Sequence, residues 1–213
     1  MEKKLILNIL DKKRKAILPH LKVFKDDFYL GGGTGLALQL GHRKSYDFDF
    51  FTTRDFNINK LQHDLETIFK THNIEILQLE THTLTILIDN DIKISFFKIN
   101  NAPVIPLLHS EWFSICHELE IGAMKIAALL RAAYRDYVDI YFLLKKYALT
   151  EIMELCKQKY SSFEESVYIK ALLSYDDIEI TPIRYSAGFE KKTTEIFALI
   201  KNKTKKYLLN HIK

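Results

Sequence analysis

Apolar and polar positions change rhythm along this chain, and the change falls near residues 102–120. Before it, short alternating or continuous apolar runs interleave with helical spacing; after it, the spacing is helical almost to the end. Residues 5–25 read as helical, with a break expected at Pro19. Phe28-Tyr29-Leu30 is a short strand running into Gly31-Gly32-Gly33-Thr34-Gly35, and Leu36 to Leu40 suits a helix closed by Gly41. Asp47-Phe48-Asp49-Phe50-Phe51 is an aromatic-rich strand, and Ile58, Leu61, Leu65, Ile68 and Phe69 restore a helical period over 58–71. Strands follow at 74–79, 84–88 and 92–99, the last two joined as a hairpin by Asp89-Asn90-Asp91. Pro103 and Pro106 lead out of the sheet. Helices are expected over 122–131, 136–147, 151–160, 164–173 and 190–209. The fold class is therefore α+β: a small mixed β-sheet core flanked by helices over residues 1–110, then a helical C-terminal subdomain over 111–213. One continuous domain is the alternative.

Composition narrows the class without naming a function. Of 213 residues, 47% are hydrophobic and 27% charged, which excludes a disordered chain. No apolar stretch approaches the ~18 residues of a membrane span, and no signal peptide is readable after Met1-Glu2-Lys3-Lys4. Cys116 and Cys156 stand alone, so a cytoplasmic protein with reduced thiols and no membrane partner is expected. The net charge of +4 does not by itself name nucleic acid as a partner. Its distribution says more: Lys191, Lys192, Lys201, Lys203, Lys205, Lys206 and Lys213 face a single acid, Glu195. Such a run attracts phosphate chains, although a solvated helix face is the plainer reading.

The chemistry is concentrated in the first half. A strand, a glycine cluster and a helix in that order leave free backbone N–H groups at a helix N-terminus, which favours an anion. Thr34 is placed to cap that helix or to bond a phosphate oxygen. The Walker pattern is absent, since Gly41 is followed by His42-Arg43, and the dinucleotide pattern fails at Leu36. Asp47 and Asp49, two apart on a strand, leave the same face with Cα atoms roughly 6.5–7 Å apart. Adjacent carboxylates repel unless a cation sits between them, and Mg²⁺ takes one or two protein carboxylates together with water and substrate phosphates. A metal–nucleotide site is the sensible reading. The scattered histidines lack zinc spacing, and no GxSxG motif is present. Trp112 and the many Phe and Tyr residues are read as core rather than as a base-stacking platform.

Gly32-Gly33-Thr34, Leu36-Ala37-Leu38, His42-Arg43-x-Ser45 and Asp47-Phe48-Asp49-Phe50-Phe51 together resemble the AbiEii/AbiGii-type nucleotidyltransferase toxins. Those form part of the minimal-nucleotidyltransferase branch of the DNA polymerase β-like superfamily. Met124-Lys125-Ile126-Ala127-Ala128 and Arg135-Asp136-Tyr137-x-Asp139-Ile140-Tyr141-Phe142-Leu143-Leu144 resemble the family's later motifs, so the likeness spans about residues 28–147. It implies a nucleotidyltransferase core in which Gly32, Gly33 and Thr34 hold the triphosphate of an NTP. Asp47 and Asp49 would coordinate one or two Mg²⁺ (or Mn²⁺) ions. Lys125 would neutralise phosphate charge, and Arg135, Asp136 and Asp139 would orient these groups or touch nucleotide or acceptor. Arg43 and Ser45 lie on a loop that returns to the aspartates, so Arg43 reaches either a phosphate or a neighbouring acid.

The implied activity is Mg²⁺-dependent transfer of a nucleoside monophosphate to a hydroxyl acceptor, RNA and tRNA being favoured. The setting would be the toxin of a type IV-like toxin–antitoxin or abortive-infection system with a cognate antitoxin protein. A small-molecule transferase of the aminoglycoside-modifying kind and a catalytically inactive nucleotide- or partner-binding module are the alternatives.

One departure from the superfamily pattern stands out. The strand expected to carry a third carboxylate reads Ile92-Lys93-Ile94-Ser95-Phe96-Phe97, with Ser95 at the polar position. A serine is neither a strong Mg²⁺ ligand nor a base. Asp89 or Asp91 from the hairpin turn, Asp136 or Asp139 from the helical half, or loss of activity are the three readings left open. An unbroken helix over 122–142 would place Lys125, Ala132, Asp136 and Asp139 in one stripe, with an internal Lys–Asp pairing as the alternative use of those charges.

Overall fold

The computed structural model describes residues 3–211, so Lys213 of the basic run lies outside the described residues. The chain divides into two compact units, Met1–His117 and Glu118–Lys213.

The first unit is built on seven strands: β1 (Tyr29–Leu30), β2 (Phe48–Thr52), β3 (Ile74–Glu80), β4 (Thr83–Ile88), β5 (Ile92–Lys98), β6 (Leu108–His109) and β7 (Ser114–Ile115). Their order is β3-β4-β5-β2-β1-β7-β6. The pairs β2–β5 and β1–β7 are parallel and the rest antiparallel, so the sheet is mixed. Strands β6 and β7 escape the sequence pattern because two residues carry no readable alternation. Asp89 and Asn90 take φ of 52° and 54° in the β4–β5 turn, a left-handed pair that these short polar residues tolerate.

Alternation decides what each face does. Phe48 and Phe50 on β2, Ile94 and Phe96 on β5, and Leu84, Ile86 and Ile88 on β4 are buried on one face. Helices α1 (Lys12–Leu21) and α3 (Ile58–Ile68) contribute Ile17, Leu18, Leu21, Leu61 and Leu65 to the same core. Phe50 stacks on Phe96 at 5.3 Å, and Phe24 and Phe28 each meet Phe96 edge-on at 5.0 Å. Truncating a ring such as Phe50 to Ala would cost about 3–5 kcal/mol. The opposite face carries Asp49 and Phe51 beside Ser95 and Phe97, matched in register across β2 and β5.

Pro19 does not break α1. It sits in the last turn, where few hydrogen bonds remain to be lost, and the helix passes into a 3-10 turn at Lys22–Phe24. Helix α2 (Gly32–Leu40) starts within the glycine cluster, earlier than its apolar residues suggested, and ends at Gly41 in the left-handed conformation.

The second unit is helical: α4 (Glu118–Ala127), a 3-10 turn at Leu129–Arg131, α5 (Tyr134–Lys146), α6 (Leu149–Lys159), α7 (Glu165–Leu173) and α8 (Thr193–His211). Ile121, Ile126, Val138, Leu143, Leu144, Ile152, Met153, Leu172, Ile196 and Ile200 are buried within it. Ile196, Ile200, Thr204 and Tyr207 form the inward stripe of α8, leaving Lys201, Lys205 and Lys206 exposed. Among the described residues, no helix is long and apolar enough to cross a membrane.

Candidate active site

The chain leaves β1 at Leu30 and turns at once into α2, so the glycine cluster lies at the edge of β2. The Gly31 N–H donates to the Asp49 carbonyl at 2.9 Å, which pins the entry of α2 to the strand carrying the carboxylates. Gly31 is the N-cap and supplies no side chain; the first intrahelical bond runs from Gly35 N–H to the Gly31 carbonyl at 3.0 Å. The N–H groups of Gly32, Gly33 and Thr34 precede that bond, and Gly32 and Gly33 are only half-buried.

Two contacts explain why these positions are glycine. Gly32 takes φ of +60°, and a Cβ there would stand 2.6 Å from Asp49 Oδ2. Gly33 has no such twist, yet a Cβ there would stand 2.6 Å from Arg43 Nη2 and 3.7 Å from Ser45 Oγ. A carboxylate and a guanidinium therefore flank the start of α2, beside the positive end of the helix dipole.

Thr34 has a different role from the expected one. It is not the cap, and its side chain is buried. Its hydroxyl donates to the Asp47 carbonyl oxygen and shares a 2.7 Å hydrogen bond with Ser45 Oγ. Thr34 and Ser45 thus brace the backbone of the first aspartate, and only the Thr34 N–H remains for an anion. Arg43 is buried too, with Nη1 donating to the Lys44 carbonyl at 3.1 Å.

Asp47 and Asp49 are both half-buried, but only Asp49 lies on β2; Asp47 stands just before the strand, which begins at Phe48, rather than on it as the sequence pattern suggested. Asp47 Oδ2 lies 3.4 Å from the Lys93 ammonium, which offsets part of the repulsion between the two acids. Asp49 pairs in register with Ser95, confirming a hydroxyl where a third acid was sought; Ser95 Oγ accepts from Thr85 Oγ1 at 3.2 Å. Neither turn acid takes that place. Asp89 accepts from Asn73 N–H at 3.0 Å and lies 2.7 Å from His72 Nδ1, while Asp91 pairs with Lys13 and Arg14. These partners hold both carboxyls below the usual carboxylate range, His72 leading for Asp89 and Lys13 for Asp91. Two hard oxygen donors suit one Mg²⁺ or Mn²⁺ completed by water and triphosphate oxygens. Among the described residues no group of three or more His, Cys, Asp or Glu could hold a metal ion.

The later motif residues gather in the second unit. Lys125 Nζ lies 2.6 Å from Asp136 Oδ1 and 2.7 Å from Asp139 Oδ2, all three side chains at most 5% exposed. Arg131 adds a fork on Asp136, with Nε at 2.7 Å from Oδ2 and Nη2 at 2.9 Å from Oδ1. The pairing does not arise along one helix: the chain breaks at Ala132, φ 53°, and the contact joins the end of α4 to the start of α5. The ammonium expected to meet a phosphate is committed here to two carboxylates. Arg135 is exposed on the first turn of α5.

Sequence reasoning missed Arg14, which is 2% exposed and donates from Nε to the Tyr46 carbonyl at 2.7 Å. In Lys12-Lys13-Arg14-Lys15 it is indistinguishable from a solvated charge run; only burial singles it out. The buried Glu120–Lys159 pair, 2.7 Å, was missed for the same reason. Cys156 is a buried free thiol, and burial pushes its pKa up to about 12.

A glycine-opened helix beside the strand that carries Asp49, on a mixed sheet, is the arrangement that the resemblance to nucleotidyltransferases implies. The chain belongs to the AbiEii nucleotidyltransferase toxin family, whose model, described as the nucleotidyl transferase AbiEii toxin of a type IV toxin–antitoxin system, matches residues 16–196. The match extends beyond the quoted motifs at both ends. It is similar to protein aq_aa25 of Aquifex aeolicus (strain VF5), 32% identical over 196 residues that cover 87% of this chain and 90% of that one. The fold is shared with JHP933 from Helicobacter pylori, at a TM-score of 0.58 and 18% identity, covering 94% of this chain and 96% of that chain. A second H. pylori structure aligns at a TM-score of 0.57 and 17% identity, covering 96% of this chain and all of its own. The chain is accordingly a nucleotidyltransferase.

Proposed function

We propose that this chain transfers a nucleoside monophosphate from an NTP to a hydroxyl of RNA, tRNA being the favoured acceptor, with Mg²⁺ or Mn²⁺ held by Asp47 and Asp49. The observation that carries the reading is the Asp49 carboxylate set against Gly32 at the N-terminus of α2. A triphosphate on the Gly32, Gly33 and Thr34 N–H groups would then lie beside the carboxylates, with Arg43 adding positive charge. The bound cation would supply charge stabilisation at the phosphoryl group being transferred. Lys125, Asp136, Asp139 and Arg135 are assigned to the same reaction on their likeness to the family's later motifs. The exposed lysines of α8 favour an acceptor with a phosphate backbone. The type IV toxin description supports a toxin role with a cognate antitoxin.

Incubation with each of four radiolabelled NTPs and total cellular RNA tests this. Label should enter RNA from the wild type and not from Asp49→Asn. Label appearing equally with Asp49→Asn would refute the assignment. Ser95 beside Asp49 favours a second reading, a nucleotide-binding module without catalysis. Nucleotide binding without product under either divalent metal would establish that reading instead.

A further inference from the structure

Two aromatic rings stand where the alternation of the sheet calls for polar side chains. Across the face that carries Asp49, β5 and β4 present Ser95, Thr85 and Thr83. Phe51 is the next residue on that face of β2, its Cα roughly 6.5–7 Å beyond that of Asp49. Phe97 is matched to it on β5, and the two rings stack with centroids 5.4 Å apart and planes at 28°. Tyr29 of β1 continues the row, 6.1 Å from Phe51 at 30°. The rings on the other face of the same strands, Phe48, Phe50 and Phe96, are wholly buried, whereas Phe51 and Phe97 keep part of their surface open. Part of each of these two rings is thus left open on the face that carries Asp49, whereas Tyr29 in the same row is buried.

We propose that Phe51 and Phe97 form a stacking platform for a nucleobase beside the Asp49 carboxylate. Every base has a π-face, so an aromatic platform holds bases with little regard to identity. One strand step from Asp49 is where a nucleoside attached to the reacting phosphate, or the terminal nucleoside of an RNA acceptor, would bring its base. Both sources offer the same planar group. The inference rests on the proposed triphosphate seat, and its test separates the two.

The full chain is compared with Phe51→Leu, Phe97→Leu and the double variant, since Leu keeps apolar bulk while removing the aromatic face; melting curves report folding. Three probes are titrated with Mg²⁺ present: inorganic tripolyphosphate, 2-aminopurine riboside triphosphate, and a short RNA ending in 2-aminopurine. Wild type should quench 2-aminopurine fluorescence, and the folded double variant should bind the responsive probe between about fivefold and a hundredfold more weakly. Tripolyphosphate affinity should not change. A response from the triphosphate places the donor base on the platform, and one from the RNA places the acceptor base there. Equal quenching and affinity in wild type and double variant for both fluorescent probes would overturn the platform. Failure of tripolyphosphate to bind the wild type would instead overturn the triphosphate seat, while the fluorescent probes still decide the platform.

Discussion

Arg14 donates from Nε to the Tyr46 carbonyl at 2.7 Å, and its guanidinium stands 4.9 Å over the Tyr46 ring. Its Nη1 reaches Asp11 at 2.6 Å, and its Nη2 reaches the Asp91 carbonyl at 2.6 Å and Asp91 Oδ1 at 3.0 Å. One buried side chain thus ties α1, the β4–β5 turn and the residue before Asp47. Thr34 holds the Asp47 carbonyl from the other side. The backbone that carries the first carboxylate is thus held by the side chains of Arg14 and Thr34.

Lysine keeps the charge of Arg14 but lacks the planar fork. Arg14→Lys should leave the Tyr46 and Asp91 acceptors partly unserved, costing about 1–3 kcal/mol in urea unfolding. It should also raise the Mg²⁺ concentration for half-maximal transfer while the KM for NTP changes less. A folded variant with an unchanged Mg²⁺ titration would remove Arg14 from the positioning of Asp47.

Gly32 and Gly33 should respond unequally to alanine. At Gly32 the new methyl meets both a left-handed φ and the Asp49 carboxylate, so Gly32→Ala should cost about 1–3 kcal/mol and abolish measurable transfer. At Gly33 it meets the tip of a flexible arginine, which can move aside. Gly33→Ala should fold normally and lose less activity. Parallel melting and transfer assays check the order, and the reverse order would contradict this account of the loop.

How far the residues alone foretell the molecule depends on the length scale of the signal. The long strands β3, β4 and β5 and the α-helices of the second unit were legible because five or more residues establish a period. The two-residue strands β6 and β7 were not, and neither was the start of α2, whose first turn is glycine. Ser95 was identified from strand alternation, and the β2–β5 register places it opposite Asp49. By contrast, nothing in Thr34 or Arg14 as letters says that one braces a backbone carbonyl and the other is buried. An unbroken helix over 122–142 would have put Lys125, Asp136 and Asp139 in one stripe, with their pairing as the alternative; the pairing is found, across a helix break at Ala132, where a left-handed alanine gives no pattern to read.

Lys125 lies between two buried carboxylates, of which Asp136 also holds the Arg131 fork, so its removal weakens the compensation of buried charge. Lys125→Met should destabilise the protein by about 3–5 kcal/mol, a fall in Tm on the order of 10 °C. Adding Asp139→Asn should recover part of that loss. Transfer should stay absent in the restabilised double variant, because both residues are assigned to the reaction. Recovery of transfer together with Tm would reduce Lys125 to a structural counter-ion.

Acid should loosen the β4–β5 turn at a definable point. Asp91 is held below the usual carboxylate range by Lys13 and then Arg14, and Asp89 by His72 and the Asn73 N–H. Folded values below unfolded ones mean that the stabilisation is complete above about pH 3.9 and is lost as pH falls through the lower folded values. Asp91→Asn should therefore flatten the acid limb of the stability profile below pH 4, read by urea unfolding at stepped pH. An unchanged acid limb would show that these pairs add nothing.

The central claim is that a divalent cation joins Asp47 and Asp49 to a triphosphate seated on the first turn of α2. Crystals soaked with Mn²⁺ and a non-hydrolysable NTP analogue measure this most directly through anomalous scattering. The account predicts one manganese peak between the two carboxylates, with phosphate oxygens on the Gly32 and Gly33 N–H groups. A triphosphate bound elsewhere, or manganese absent from those carboxylates while the analogue is present, would contradict it.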